Sequence, residues 1–178
     1  MSLNSRVIAA LGAVVVVGAA TVGTSVAIAS DQTEHSSHRA TLTVGNSSIA
    51  ADPLCFNGGS AITEDLQQEC QDKATQALKD GTLPTSDVVV SDRIGVGVTP
   101  NVGDTGWWAF TNGGASAGGQ GGRYSLMNYA KGTTFSGSQS AGKALNGSGK
   151  TLVTVVEGDK NSDNPIAVWY FQLNTQDS

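Results

Sequence analysis

Histidine, cysteine and positive charge are all scarce in this chain, and each scarcity closes off a class of function. The two histidines, His35 and His38, both fall in a polar stretch without periodicity. A Ser-His-Asp or Cys-His arrangement inside a folded core is therefore not expected. Lys and Arg number 10 against 15 Asp and Glu, and nothing basic clusters, so nucleic acid and anionic lipid are not expected as partners. No C-x-x-C occurs, which argues against a redox or metal pair at Cys55 and Cys70. No carboxylates form a recognisable acid/base pair either. The chain reads as a non-enzyme without a cofactor.

Charge is also missing from the first thirty residues. Arg6 is the only charged side chain before Asp31, and the run from Val7 to Ala29 contains the apolar block Ala13-Val14-Val15-Val16-Val17. A positive residue followed by an apolar stretch is the order of a secretory signal, and Ala27-Ile28-Ala29 supplies the small-x-small pattern read by signal peptidase. The apolar core of such a signal runs about 7–15 residues, whereas a membrane-spanning helix needs about 20. Val7 to Val22 suits the first and the full stretch to Ala29 suits the second, so residues 1–29 are a signal peptide or an N-terminal transmembrane anchor. Either way the rest of the chain faces outward, secreted or on the extracytoplasmic face of the membrane. No Cys follows the small residues, which excludes lipid attachment there. In an oxidising compartment the Cys55 and Cys70 pair reads as a disulfide, worth about 3 kcal/mol by chain entropy.

Beyond the signal, residues 30–39 read as a polar linker and 40–178 as one domain of adequate size for a core. The 23 glycines of the full chain, with Ser, Thr and Val, suit short strands joined by turns. Thr41–Val44 and Ile49–Ala51 are strand candidates around a turn at Gly45–Ser48. Thr63 to Asp80 is the one helix expected. Thr63 is its N-cap, Glu64 and Asp65 favour the first turn, and Gly81 ends it. Leu66, Cys70, Ala74, Ala77 and Leu78 form its apolar stripe. Glu69 and Lys73 pair at i, i+4. From Asp87 onward the pattern is strands: Asp87–Val90, Ile94–Thr99, Trp107–Thr111, Arg123–Met127, Thr133–Ser136, Leu152–Glu157 and Ile166–Leu173. Trp169, Phe171 and Leu173 share a face opposite Val168 and Tyr170, and a two-layer sandwich leaves that second face to solvent. The fold class expected is mainly β, an immunoglobulin-like antiparallel β-sandwich with one inserted helix. Asn112–Gly122 is expected to be a mobile surface loop.

Two motifs resemble ligand loops. Ala144 to Thr151, ending Gly149-Lys150-Thr151, fits a loosened phosphate-loop pattern. However, a strand sequence follows it where a helix is required, so it reads as a connection between strands. Asp159, Asn161 and Asp163 place oxygen ligands at the first, third and fifth positions of a calcium loop, with Glu157 as a further ligand. The Gly and the bidentate Glu such a loop needs are absent, so a polar turn ended by Pro165 is the preferred reading.

Trp107-Trp108 is the one aromatic pair. Strand neighbours point to opposite faces, so one ring belongs in the core and the other faces outward, where it stacks on a sugar ring or a partner protein, or packs under the glycine loop.

The run Thr41–Val44 followed by Ile49-Ala50-Ala51-Asp52-Pro53-Leu54-Cys55 resembles the start of an actinobacterial family of exported proteins and lipoproteins with an immunoglobulin-like domain of unknown function. Gly106-Trp107, Thr134-Phe135, Leu152–Glu157 and Val168–Leu173 resemble its later strands. The chain departs from that family in lacking the lipid-attachment Cys, in the helix Thr63–Asp80 and in the glycine loop. The resemblance implies an envelope domain with no assigned activity. The expected role is to bind a wall glycan or an envelope protein, with membrane contact only through an uncleaved N-terminus. The alternative is a carbohydrate- or calcium-binding module.

Overall fold

A computed structural model describes residues 37–114, 122–159 and 165–176. The signal or anchor segment, the first seven residues of the expected linker and residues 115–121 of the glycine loop lie outside them. Among the described residues no helix is long and apolar enough to cross a membrane.

Among the described residues ten strands form two sheets. Strands β1 (Ala40–Val44), β2 (Ser47–Ala51), β5 (Arg93–Val98) and β8 (Gln139–Ser140) make the first, in the order β2-β1-β5-β8. The second contains β3 (Cys55–Phe56), β6 (Trp107–Thr111), β7 (Tyr124–Ala130), β9 (Lys150–Glu157) and β10 (Ala167–Thr175), in the order β3-β10-β9-β6-β7. Pairing is antiparallel apart from β4 (Thr85–Val88), which runs parallel to the C-terminal half of β10. The described residues also form three helices: α1 (Glu64–Asp80), α2 (Pro100–Thr105) and α3 (Ala141–Ala144).

Alternation builds the main core. Leu42, Val44, Ile94 and Val96 from the first sheet meet Trp107, Ala109, Val153, Val155, Trp169, Phe171 and Leu173 from the second in one buried cluster. At about 25 cal/mol per Å² of apolar surface, rings of this size dominate the stability of the domain. On the far side of the first sheet, Gly95 lies under the Phe135 ring. A Cβ there would come within 2.8 Å of the Gly137 carbonyl oxygen and 3.0 Å of the ring. Only glycine lets that aromatic lie across the strand. Phe135 makes an isolated bridge to Gly97, so the strand expected over Thr133–Ser136 is reduced to one bridge and the paired segment is β8 instead.

Helix α1 begins after Thr63 and ends at Gly81, whose left-handed φ of 66° needs no Cβ. Thr63 occupies the N-cap position without a side-chain capping bond. None of the helix is fully buried, and Leu78, expected in its apolar stripe, is 44% exposed. Leu66 and Cys70 nevertheless pack with Leu54, Cys55 and Ile62 against Val156, Val168, Trp108, Phe110 and Tyr170. This second cluster covers part of the outer face of the second sheet, so the expectation that Tyr170 faces solvent is corrected. Burial raises its phenol pKa above the ordinary value. The disulfide Cys55–Cys70, with Cα atoms 5.6 Å apart, ties α1 to β3 over this face.

Two further features were not anticipated. Thr99-Pro100 opens α2 with Pro in the first turn, the position where its missing N–H costs nothing. Ser37–Arg39, expected in the linker, is part of the fold. The Thr99 hydroxyl donates to the Ser37 carbonyl at 2.7 Å, and the Thr99 amide donates to the Arg39 carbonyl at 3.0 Å.

Candidate functional site

The aromatic pair is separated by the pleat of β6. Trp107 is fully buried, and its indole Nε1 donates to the Thr133 carbonyl at 2.7 Å. It is a core residue and is not accessible for stacking on a ligand. Trp108 lies on the outer face, half-buried. Register shifts between β6 and β7 occur on both sides of Ala109, an irregularity that re-aims side chains next to binding sites. Here it opens a groove of about 260 Å³ on the outer face, lined by Trp108, Phe110, Arg123, Ser125, Asn128 and Tyr129, with Ala109 and Met127.

The groove has a defined chemistry. The Trp108 and Tyr129 rings lie 6.3 Å apart at 46°. The Arg123 guanidinium stacks on the Phe110 ring, its carbon 3.2 Å from the centroid, a cation–π contact. Ser125 Oγ donates to Asn128 Oδ1 at 3.0 Å, which leaves the amide NH₂ of Asn128 as a donor. Flat apolar rings beside a few polar groups are the composition of a small-ligand site.

A second polar constellation sits at one end of the main core. Glu157 pairs across the ladders with Trp107 and Ala167 and shares the inner face with Val153 and Val155. Its side chain is 1% exposed. Its burial in the core weighs against the part considered for it as a further ligand of a calcium loop. His38 Nε2 approaches Glu157 Oε1 at 3.6 Å, while Oε2 has no hydrogen-bond partner. Desolvation raises the Glu157 pKa above the ordinary carboxylate value, opposed by the Thr105 hydroxyl and by the charge of His38. Ser37 Oγ lies 2.9 Å from His38 Nδ1, and the imidazole packs on Phe56 at 4.7 Å between ring centroids. A histidine inside the fold overturns the expectation that both stay in a tether; His35 lies outside the described residues. Ser37, His38 and Glu157 are the residue types of a nucleophile–base–acid relay, but 3.6 Å exceeds hydrogen-bond length. What the three groups do is close the core where the chain enters it. The sequence signal for Glu157 was available: an acid two places after Val155, in the inward phase of the strand.

The remaining candidates separate. Cys55 and Cys70 form the disulfide. Asp159 is described, whereas Asn161 and Asp163 lie outside the described residues. Among the described residues no group of three or more His, Cys, Asp or Glu is placed to hold a metal. Lys150 is exposed and opens β9 directly after the loop from Leu145 to Gly149, and the helix α3 precedes that loop. No helix N-terminus follows to face a phosphate.

No family model matches the chain, and comparison with curated proteins and with solved structures returns no match.

Proposed function

We propose that this chain is a non-enzymatic binding module of the cell envelope, exported by its apolar N-terminal segment, which holds a wall glycan in the groove on the outer face of β6 and β7. One observation carries the reading. Of the three tryptophans, Trp107 and Trp169 are sealed in the core, while Trp108 borders an open groove with Tyr129 and Phe110. An aromatic ring covers the apolar face of a sugar, and nearby hydroxyl and amide groups meet its hydroxyls. The disulfide supports export, because such bonds persist in oxidising compartments. The immunoglobulin-like classification belongs to the same proposal, supported by two sheets facing each other across one core. So does kinship with actinobacterial exported proteins, which rests on the strand motifs.

The test is co-sedimentation of the full chain with insoluble wall glycan, together with a tryptophan fluorescence titration using chitotetraose. Binding is expected in both assays, with the fluorescence change lost in Trp108→Ala. Undiminished co-sedimentation of Trp108→Ala would place the contact surface elsewhere, and absence of binding by the parent chain would remove the reading.

A further inference from the structure

Arg123 gives the groove a charge preference. The chain as a whole carries an excess of acidic groups, with a formal charge of −5, yet the lining of the groove contains no Asp or Glu. Among the described residues Arg123 has no ion-pair or hydrogen-bond partner, and its guanidinium stacks on Phe110. Stacking occupies the face of a guanidinium and leaves its edge of N–H donors open. That edge lies in the same groove as Trp108 and Tyr129. A ligand that fills this space therefore meets flat apolar rings and, beside them, a fork-shaped cation.

We infer that the groove selects an acidic saccharide, one whose ring packs on Trp108 or Tyr129 while a carboxylate on the sugar accepts from the Arg123 guanidinium. This inference rests on the glycan-binding reading above and narrows it to a substrate class. The structure favours a glycan over an acidic peptide. An extended peptide would add to the outer edge of β7, but the Leu126 carbonyl there already accepts from Gln139 Nε2 at 2.6 Å, and Gln139 is itself held by the Tyr124 hydroxyl at 2.7 Å. Strand addition needs those backbone groups free. A sugar needs only the ring faces and the donors of Arg123 and Asn128.

The experiment compares two tetrasaccharides with the same β-1,4 backbone. Chitotetraose is neutral; its counterpart, with N-acetylmuramic acid at alternate positions, differs by lactyl ether carboxylates. Affinities of the full chain are read by Trp108 fluorescence and by calorimetry, at low and at raised salt. The acidic tetrasaccharide is expected to bind about tenfold more tightly, the scale of one charge-assisted hydrogen bond, and salt should narrow the gap. In Arg123→Gln the ratio of the two affinities should fall toward one, and Arg123→Lys should restore part of it. Circular dichroism confirms that each variant is folded.

Equal binding of the two sugars by the parent chain would overturn the charge preference and leave the glycan-binding reading standing. A preference that persists in Arg123→Gln would assign it to another group. Binding of neither sugar would remove both readings. A tetraglutamate peptide that binds at Trp108 in their place would make the partner a protein segment.

Discussion

The two faces of the β3-β10-β9-β6-β7 sheet are built from the same strands and have opposite fates. Trp107, Val153, Val155, Trp169, Phe171 and Leu173 point inward and are buried in the core shared with the first sheet. One residue along each strand, Trp108, Val156, Val168 and Tyr170 point outward and pack with the segment from Leu54 to Cys70. The inner face is closed by the smaller first sheet together with Val102 of α2 and Ala141 and Ala144 of α3. The outer face is closed by one amphipathic helix with a thin stripe, and the disulfide fixes where that helix lies. The cover lies over Val168 and Tyr170 and reaches Trp108 and Phe110 of β6, the two rings that also border the aromatic groove toward β7.

The strongest way to break this comparison is to remove a ring from each face. Phe171→Ala opens a cavity in the sealed core and should cost about 3–5 kcal/mol, against a usual total of about 5–15. Urea melts read the loss directly. A cost below about 1 kcal/mol would mean the inner face is not the main source of stability.

Next in size is the loss of the disulfide. Cys55 and Cys70 are 15 positions apart, and chain entropy gives about 3 kcal/mol for such a loop. The double variant Cys55→Ala/Cys70→Ala should lose about that much while keeping the near-ultraviolet signal of Trp107 and Trp169, because only the outer layer is released. Collapse of that signal would show the two faces to be one cooperative unit with no separable cover. Two free thiols in the intact mass of the exported protein would remove the bridge altogether.

Tyr170→Ala sharpens the contrast. The ring is half-buried beneath the cover, so its truncation should cost about 1–2 kcal/mol, less than Phe171→Ala at the neighbouring position. Equal losses would mean that the cover seals the outer face as completely as the first sheet seals the inner one.

Much of this was legible in the sequence, and the reason is local. Period-two alternation marked the longer strands, because burial on one face leaves its record within five or six residues, whereas β3 and β8, two residues each, are too short to leave one. Thr63, Gly81 and the acids between them marked α1 for the same reason. What could not be read depends on contacts between distant segments. Ser37 and His38 carry nothing that distinguishes them from the polar run before them; they are ordered by Thr99, 62 positions away. The cover over Tyr170 was hidden because only Leu66 and Cys70 of α1 reach it, too short a stripe to announce which strand lies beneath. Trp107 and Trp108 were correctly assigned to opposite faces by the pleat, but the groove beside Trp108 arises from the register shifts at Ala109. Those depend on how β7 pairs, which no single strand encodes.

The smallest effect concerns the one charge on the sealed face. Glu157 continues the inward phase of Val153 and Val155, so its carboxylate ends in the core, with one oxygen unpartnered and the other 3.6 Å from His38. Desolvation is the largest influence on it and raises its pKa in the folded state above the ordinary carboxylate value. The folded chain therefore holds the proton more tightly than the unfolded chain does. Stability from this source is fully present below the ordinary carboxylate range and is lost as pH rises through the raised value. Glu157→Gln keeps the shape and cannot ionise. It should match the parent near pH 4 and exceed it at pH 8 by about 1 kcal/mol, the cost of one buried acceptor left unpaired. Urea midpoints of the two proteins at both pH values check the sign. If the variant instead falls below the parent as pH rises, the pairing with His38 and the Thr105 hydroxyl outweighs the burial, and the inner face tolerates a charge that the comparison of the two faces says it should resist.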